Sequence, residues 1–213
     1  MKITIFGSTG FLGKVLLEMA LDKGYQVKTL VRNPDKLGEF RDRVEFIQGD
    51  IFNEKDVLRT VSGTEVVLST VGPPNRNTGN PEIYKKSMEN IVDILEKENI
   101  RRFIHVGGAA HPGGENENWT IGRRFLKQML IITGPKILLA KQLEWDVLKK
   151  SKLDWTLVRP PAILKGKSKS GNLSMDEKNL GSLKVNVEDL SNFMLEQITS
   201  GLWVKKAPLV SGN

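Results

Sequence analysis

Short apolar runs alternate with longer amphipathic stretches along most of this 213-residue chain. The short runs are rich in valine, isoleucine and leucine, as buried strands are. The longer stretches repeat apolar residues every three or four positions, which is typical of helices packed on a sheet. Because the two kinds of segment alternate with short connections, the pattern predicts an α/β fold, a doubly wound parallel sheet with crossover helices.

The predicted elements cover most of the chain, with two irregular segments between them. Residues 107–118 are rich in glycine, lack periodicity and are predicted to be mobile, and residues 165–184 are predicted to be irregular with a short hairpin over the site. With no internal repeat or linker, residues 1–213 are predicted to form one domain. We predict strands at 2–6, 25–31, 44–48, 65–69, 102–106 and 155–158 with an edge strand at 207–210, and helices from about 15, at 54–61, at 81–98, at about 123–150 with a break near 133–135, and at 187–200.

A glycine-rich turn follows the first strand directly. Gly7, Gly10 and Gly13 recur at every third position and lead into a helical pattern. In such a turn the first glycine permits the tight bend, the second lets the backbone approach a pyrophosphate, and the third lets the helix pack close to the strand. Amide groups at the helix N-terminus then face the anion. The strand–turn–helix context therefore predicts dinucleotide binding.

Arg32 stands at the end of the second predicted strand, where an acidic residue would accept hydrogen bonds from the adenosine ribose of NAD. A guanidinium can instead pair with a 2′-phosphate, so Arg32 favours NADP(H). The alternative interpretation is a solvated charge at a strand end. Asn33 and Lys36 could add donors to the same phosphate.

The carboxyl ends of the strands define one rim, where ligands of such sheets bind. Asp50 could accept from the adenine amino group, with Ile51 against the ring, or it could be a turn residue. Gly72 would let the backbone pass close to a ribose, or it is only a loop glycine. The rim comprises Gly49, Asp50, Ile51, Thr70, Val71, Gly72, Gly107, Gly108, Arg159, Pro160 and Pro161.

Composition narrows the functional classes. The formal net charge of +7 suggests nucleic-acid binding, but the basic residues are interspersed with acidic ones, and the one basic cluster, at 165–169, is read as a solvated loop. An anionic ligand such as NADPH accounts for a positive cleft.

The absence of cysteine excludes disulfides and thiolate chemistry, and with two histidines a zinc site is not expected. No leader and no membrane-spanning run is visible, which predicts a cytoplasmic protein that binds neither membrane nor nucleic acid.

Together these motifs resemble the atypical short-chain dehydrogenase/reductase group, with its NAD(P)-binding Rossmann fold. Within it the chain is most similar to biliverdin reductase B / flavin reductase and NmrA-like proteins. The resemblance covers essentially the whole chain and rests on the glycine turn, Leu-Val-Arg32-Asn-Pro, Gln-Gly49-Asp50-Ile, Leu-Asp154-Trp-Thr-Leu-Val-Arg159-Pro-Pro-Ala-Ile163, and Val187-Glu-Asp-Leu.

The resemblance implies a cofactor site and a reaction. The flavin-reductase branch passes a hydride from NADPH to a flavin, a linear tetrapyrrole or a quinone-like acceptor, and the protein mainly positions two flat rings. The nicotinamide end is expected near Gly107, Gly108 and the Pro160-Pro161 turn. The implied cofactor residues are Gly7, Thr9, Gly10, Phe11, Leu12, Gly13, Arg32, Asp50, Ile51, Thr70, Val71, Gly72, Gly107 and Pro160.

Three positions depart from the family pattern. Many relatives use a Tyr-x-x-x-Lys pair for proton transfer, but Ile137 stands four residues before Lys141. Gly108 replaces a serine after the fifth strand, and Ala162 replaces a histidine after the double proline. These departures argue against alcohol or epimerase chemistry and weaken the case for biliverdin itself.

The remaining candidates for chemistry are few. Lys141 is the candidate catalytic residue, in contact with the nicotinamide ribose or the acceptor; the alternative is a solvated helix lysine. His105 is predicted to face the core, and His111 is a weak acid candidate. Gly108, Trp119 and Ala162 are the candidate acceptor residues, and Arg76, Tyr84 and Arg123 could line the same pocket.

Two functions fit this sequence. The first is an NADPH-dependent oxidoreductase of the flavin-reductase type, acting on a small planar acceptor such as a flavin. The alternative is a non-catalytic NADP(H)-binding sensor that regulates a protein partner, which the three missing polar groups favour. The sequence does not define the oligomeric state.

Overall fold

A computed structural model describes residues 1–72, 80–109, 111, 124, 128, 131, 134–166 and 171–212. Six parallel strands form its main sheet, and every strand predicted for it is confirmed to within one residue. The strands are β1 (Lys2–Phe6), β2 (Gln26–Val31), β3 (Glu45–Gln48), β4 (Val66–Ser69), β5 (Arg102–Val106) and β6 (Asp154–Val158).

The helices lie on both faces of this sheet. A 3-10 segment, Pro34–Arg43, interrupted at Gly38, follows β2 and was not predicted. Predicted helical residues 123–134 lie largely outside the described residues. The helices are α1 (Phe11–Asp22), α2 (Glu54–Val61), α3 (Glu82–Lys97), α4 (Pro135–Lys150) and α5 (Val187–Glu196).

Alternation along the strands divides the interior into two cores. Ile3 and Ile5 of β1 point to one face, where they join residues of α1 and α5, while Phe6 points to the other face, with residues of α2, α3 and α4. This period-two pattern is what a sheet covered on both faces requires. The result is a three-layer Rossmann-like α/β fold, as predicted.

The strand order β3-β2-β1-β4-β5-β6 places a switch point between β1 and β4. The chain builds outward from β1 to β3 and then returns to the other side of β1. The loops after β1 and β4 therefore diverge to opposite faces, and the crevice between them is where such sheets bind ligands.

The C-terminal part forms two small sheets. Strand β7 (Ala162–Leu164) pairs in parallel with β9 (Lys184–Asn186), and β8 (Leu173–Asp176) pairs antiparallel with β10 (Leu209–Gly212). The prediction of a hairpin within 165–184 is wrong for the described residues, because both strands of this region find distant partners. The strand expected at 207–210 lies two residues later.

Arg159 links this segment to the rim of the main sheet. Its side chain is fully buried and donates to the carbonyl oxygens of Ala207 (2.7 Å), His111 (3.2 Å) and Glu177 (2.9 Å). Since the guanidinium supplies donors to three separate segments, it fixes the backbone next to Pro160 rather than facing the crevice.

Candidate functional site

The glycine turn after β1 is held by backbone contacts that exclude larger residues. Gly7 has a φ of +81°, and a Cβ added there would lie 2.7 Å from Oγ1 of Thr70. A Cβ on Gly13 would lie 2.0 Å from the carbonyl oxygen of Gly7. The N–H of Gly10 donates to that same carbonyl at 2.9 Å. The first turn of α1 therefore lies directly against the strand–helix loop.

The N-terminus of α1 offers donors to a ligand. Gly10 is the N-cap and provides no side-chain cap, and the first turn carries no acidic residue. The N–H groups of that turn thus receive no acceptor from a capping side chain, and the helix dipole adds partial positive charge. Thr9 is half-buried, Phe11 is exposed and Leu12 is buried, so the loop presents mainly backbone to the crevice. This arrangement fits a bound pyrophosphate.

Loops after β4 and β1 are joined by Thr70. Its one hydroxyl hydrogen is shared between the carbonyl oxygens of Phe6 and Gly7, each 3.2 Å from Oγ1. Thr70 therefore stabilises the turn, a structural role that is distinct from direct contact with a ligand. Val71 is half-buried and Gly72 is exposed, and a Cβ on Gly72 would meet nothing within 4 Å.

The adenosine end of the predicted site is formed after β2 and β3. Arg32 is exposed, and its guanidinium forms no hydrogen bond or ion pair with the rest of the described chain. Asp50 is half-buried and accepts the N–H of Phe52 at 3.1 Å, so it is a turn residue with a second carboxylate oxygen left over. The carbonyl oxygen of Ile51 accepts from Asn90 of α3 at 3.2 Å.

The ends of β5 and β6 meet at the far side of the rim. The N–H of Gly107 donates to Val158 (2.8 Å), and the N–H of Ala109 donates to Pro160 (2.7 Å). A Cβ on Gly108 would meet nothing within 4 Å, and Ala162 in β7 is exposed. The sequence predicts Gly107, Gly108, Pro160 and Ala162 in one region, and these backbone bonds place them close together. Trp119, Arg76 and Arg123 lie outside the described residues.

Lys141 is buried, so the interpretation as a solvated lysine is wrong. Only 9% of the residue is exposed, and its Nζ lies 2.7 Å from Oε2 of Glu144, which is 3% exposed. The same carboxylate oxygen lies 4.0 Å from Nε2 of His105 on β5. The burial of Glu144 was not predicted from the sequence. Its position three residues after Lys141 on one helix is the signal that could have identified it.

His105 borders this ion pair, and His111 lies beside Trp145, the residue that follows Glu144. His105 is 1% exposed, as expected for a residue facing the core, and neither ring nitrogen forms a hydrogen bond with described residues. Burial, reinforced by the charge of Lys141, lowers the pKa of His105 well below its usual 6.5. His111 was predicted within a mobile segment but is itself 1% exposed, beside Trp145. The neutral imidazole of His105 thus places a polar but uncharged ring against the ion pair.

The family assignment follows from this cradle and from a direct match. A family model described as "NAD(P)H-binding" matches residues 7–201. The chain belongs to this family. Its cofactor is therefore NAD(P)H, as predicted, and the glycine turn of the family match is the one that the structure places at the switch point.

Similar proteins agree with this assignment. Anthocyanidin reductase from Arabidopsis thaliana is 26% identical over 194 residues, which are 78% of this chain and 56% of that protein. The chain thus spans little more than half the length of this curated relative. Two solved structures share the fold: ChuY, an anaerobillin reductase from Escherichia coli O157:H7 (TM-score 0.82, 19% identity, 99% and 97% of the two chains), and a short-chain dehydrogenase/reductase from Veillonella parvula in complex with NADP (TM-score 0.79, 19% identity, 99% and 94%). The predicted resemblance to NAD(P)-binding proteins is confirmed by the family match, and the solved structures show the same Rossmann-like fold.

Other ligand classes find less support in the described residues. Among them, no group of three or more histidine, aspartate and glutamate side chains could hold a metal ion. None of their helices is both long and apolar enough to cross a membrane.

The buried ion pair makes a prediction about stability. Replacing Glu144 with glutamine keeps the shape but leaves the Lys141 ammonium without a counter-ion, so we expect a loss of about 3 kcal/mol in unfolding free energy. Urea unfolding followed by circular dichroism measures it. The control is Glu89→Gln, which removes an exposed carboxylate 3.6 Å from Lys85 and should cost less than about 0.5 kcal/mol. Equal losses of unfolding free energy in the two variants would contradict the conclusion that Lys141 and Glu144 form a buried ion pair.

Proposed function

We propose that this protein is an NADPH-dependent oxidoreductase of the flavin-reductase type, which reduces a flat conjugated acceptor such as a flavin, a linear tetrapyrrole or a quinone. The observation that carries the proposal is the space around Gly72 and Gly108 within the part of the chain that the structure describes. These residues follow neighbouring strands, β4 and β5, and a Cβ atom built on either would meet no described atom within 4 Å. A planar ring can therefore approach the backbone at this part of the rim.

The cofactor is proposed to lie along the rim from β3 to β6. Arg32 would bind the 2′-phosphate, and Asp50, through its remaining carboxylate oxygen, would accept from the adenine beside Ile51. When bound, NADPH supplies the hydride, and the protein supplies binding and orientation. The pyrophosphate would contact the turn formed by Gly7, Thr9, Gly10, Phe11, Leu12 and Gly13, the riboses Thr70, Val71 and Gly72, and the nicotinamide Gly107 and Pro160.

Lys141 is proposed as the residue that provides positive charge near the nicotinamide end. Its neighbour His105 lies two residues before Gly107, which puts the ion pair close beneath the rim. We take the tyrosine-dependent proton relay to be absent, because Ile137 stands at the tyrosine position. Acceptors such as flavins suit this arrangement, since their reduction asks the protein mainly to align two rings.

The acceptor would contact Gly108, Ala162 and Trp119. Ala162 is exposed on β7, next to the Pro160 backbone, and presents only a methyl group. Such a small apolar surface suits the face of an aromatic ring better than a sugar or an alcohol. The names of the similar proteins anthocyanidin reductase and anaerobillin reductase support the reductase class.

One observation favours a second candidate, a non-catalytic NADP(H) sensor. The Lys141 ammonium is already engaged by Glu144 at 2.7 Å, so part of its charge is neutralised within the protein. In this case cofactor binding would change the affinity for a protein partner without chemistry.

Turnover tests the enzymatic proposal. The purified protein should oxidise NADPH in the presence of FMN, dichloroindophenol or biliverdin, followed at 340 nm or, for coloured acceptors, by stopped-flow spectroscopy. Activity with at least one of them is the expected result. Tight NADPH binding with no turnover of any acceptor would favour the sensor instead.

Coenzyme preference tests the position of the adenosine end. Arg32→Asp should reverse the preference from NADPH to NADH, because a carboxylate repels the 2′-phosphate and accepts from a ribose hydroxyl. Dissociation constants for both coenzymes give the ratio, which should change by about 100-fold or more for a lost charge-assisted contact. Lys152→Asp makes the same change of net charge just before β6, at the opposite edge of the sheet, and should leave the ratio unaltered. An unchanged ratio in Arg32→Asp would mean that the 2′-phosphate binds elsewhere.

A further inference from the structure

A lysine from the C-terminal segment reaches the cofactor turn. Lys165 follows β7 directly, and its Nζ lies 5.7 Å from the centroid of the Phe11 ring. Phe11 is the first residue of α1, immediately after Gly10, and 45% of it is exposed. The ammonium group therefore lies beside the first residue of α1, at the helix end whose N–H groups would face a bound pyrophosphate.

The backbone on both sides of Lys165 is fixed. Leu164, on one side, pairs with Asn186 in the parallel β7–β9 ladder. Gly166, on the other side, accepts a hydrogen bond from Nδ2 of Asn186 at 2.8 Å. Asn186 is also the N-cap of α5, since its side chain accepts from the N–H of Glu188. Asn186, at the start of α5, thus holds the backbone on both sides of Lys165, from which the side chain reaches Phe11.

The charge at this position lacks a partner in the described chain. Lys165 forms no ion pair with a described carboxylate, and the first turn of α1 contains no acidic residue. A cation beside the positive end of a helix is unfavourable unless an anion lies between them. The family match supplies that anion independently, because the cofactor of this family carries a diphosphate bridge.

We propose that Lys165 binds the pyrophosphate of the nicotinamide cofactor, together with the N–H groups at the start of α1. This inference rests on the cofactor position given under the proposed function. It changes the interpretation of the basic cluster at 165–169, whose first residue is a binding residue rather than part of a solvated loop. Phe11 acts as the platform that keeps the ammonium group close to the phosphates.

The proposed contact separates Lys165 from Arg32. The pyrophosphate is common to NADPH and NADH, whereas the 2′-phosphate belongs to NADPH alone. Loss of the Lys165 charge should therefore weaken both coenzymes by the same factor and leave the preference unchanged.

The test compares Lys165→Ala with the wild-type protein by titrating NADPH and NADH and measuring the dissociation constants. Because the ammonium group is exposed and its charge is screened by solvent, we expect the affinity for each coenzyme to fall by about three- to tenfold. The difference between the variant and the wild type should shrink at high salt. Lys165→Arg should keep most of the affinity. The matched control is Lys206→Ala, which removes a similar contact, 5.6 Å from the Trp203 ring, away from the turn, and should change neither constant by more than about twofold. Thermal unfolding of each variant shows whether the fold is retained.

Three results would overturn the inference. Lys165→Ala could bind both coenzymes like the wild type, it could lose NADPH affinity alone, or Lys206→Ala could have the same effect. A wild-type protein that bound neither coenzyme would instead count against the cofactor position and the proposed function.

Discussion

The close contact between α1 and the loop after β1 is the constraint on which the rest of this structure depends. With only 2.0 Å between the Gly7 carbonyl oxygen and the Cβ position of Gly13, no side chain fits at residue 13 without moving backbone. This contact directs the first turn of α1 toward the crevice. Thr70 then joins the same loop to β4 through its hydroxyl hydrogen. Helix α1 and strands β1 and β4 thus meet at the position where we propose that the pyrophosphate binds.

Along the rim, the groups that face the crevice differ between the β1 end and the β6 end. At the β1 end it is built from backbone donors, and at the β5 and β6 end the described residues Gly108 and Ala162 present no polar side chain. Charge is kept beneath this surface, in the pair formed by Lys141 and Glu144, next to an uncharged His105. Under the proposed function, such a site would hold its cofactor through polar contacts and its acceptor through shape and stacking.

Much of the fold and the position of the glycine turn could be predicted from the sequence, because both depend on local patterns. The alternation of short apolar runs with amphipathic stretches predicted the six strands, and the spacing of Gly7, Gly10 and Gly13 indicated the cofactor turn. The 3-10 segment Pro34–Arg43 could not be predicted, since only Leu37 and Phe40 are buried in an otherwise polar stretch. Likewise, the pairing of β8 with β10 and of β7 with β9 joins residues far apart in sequence.

The burial of Lys141 and the position of the Lys165 side chain could not be predicted for the same reason. Whether Lys141 is solvated or buried depends on how α4 packs against β5, and the sequence of α4 alone fits either case. The contact of Lys165 with Phe11 depends on the β7–β9 ladder, so composition alone suggested a solvated loop.

Isothermal titration of NADPH into the folded protein and into Gly10→Glu tests the central claim most directly. Gly10 has a φ of −78°, which any residue can adopt, and a Cβ there would lie 3.3 Å from the carbonyl oxygen of Gly7, a contact that a small shift relieves. Because an acidic residue also suits the helix dipole, the variant should keep the fold, which thermal unfolding checks. Its carboxylate would occupy and repel the pyrophosphate position. We expect one binding event per wild-type chain and no heat of binding with the variant. Undiminished binding by Gly10→Glu, or a folded wild-type protein that gives no heat with NADPH, would contradict the account.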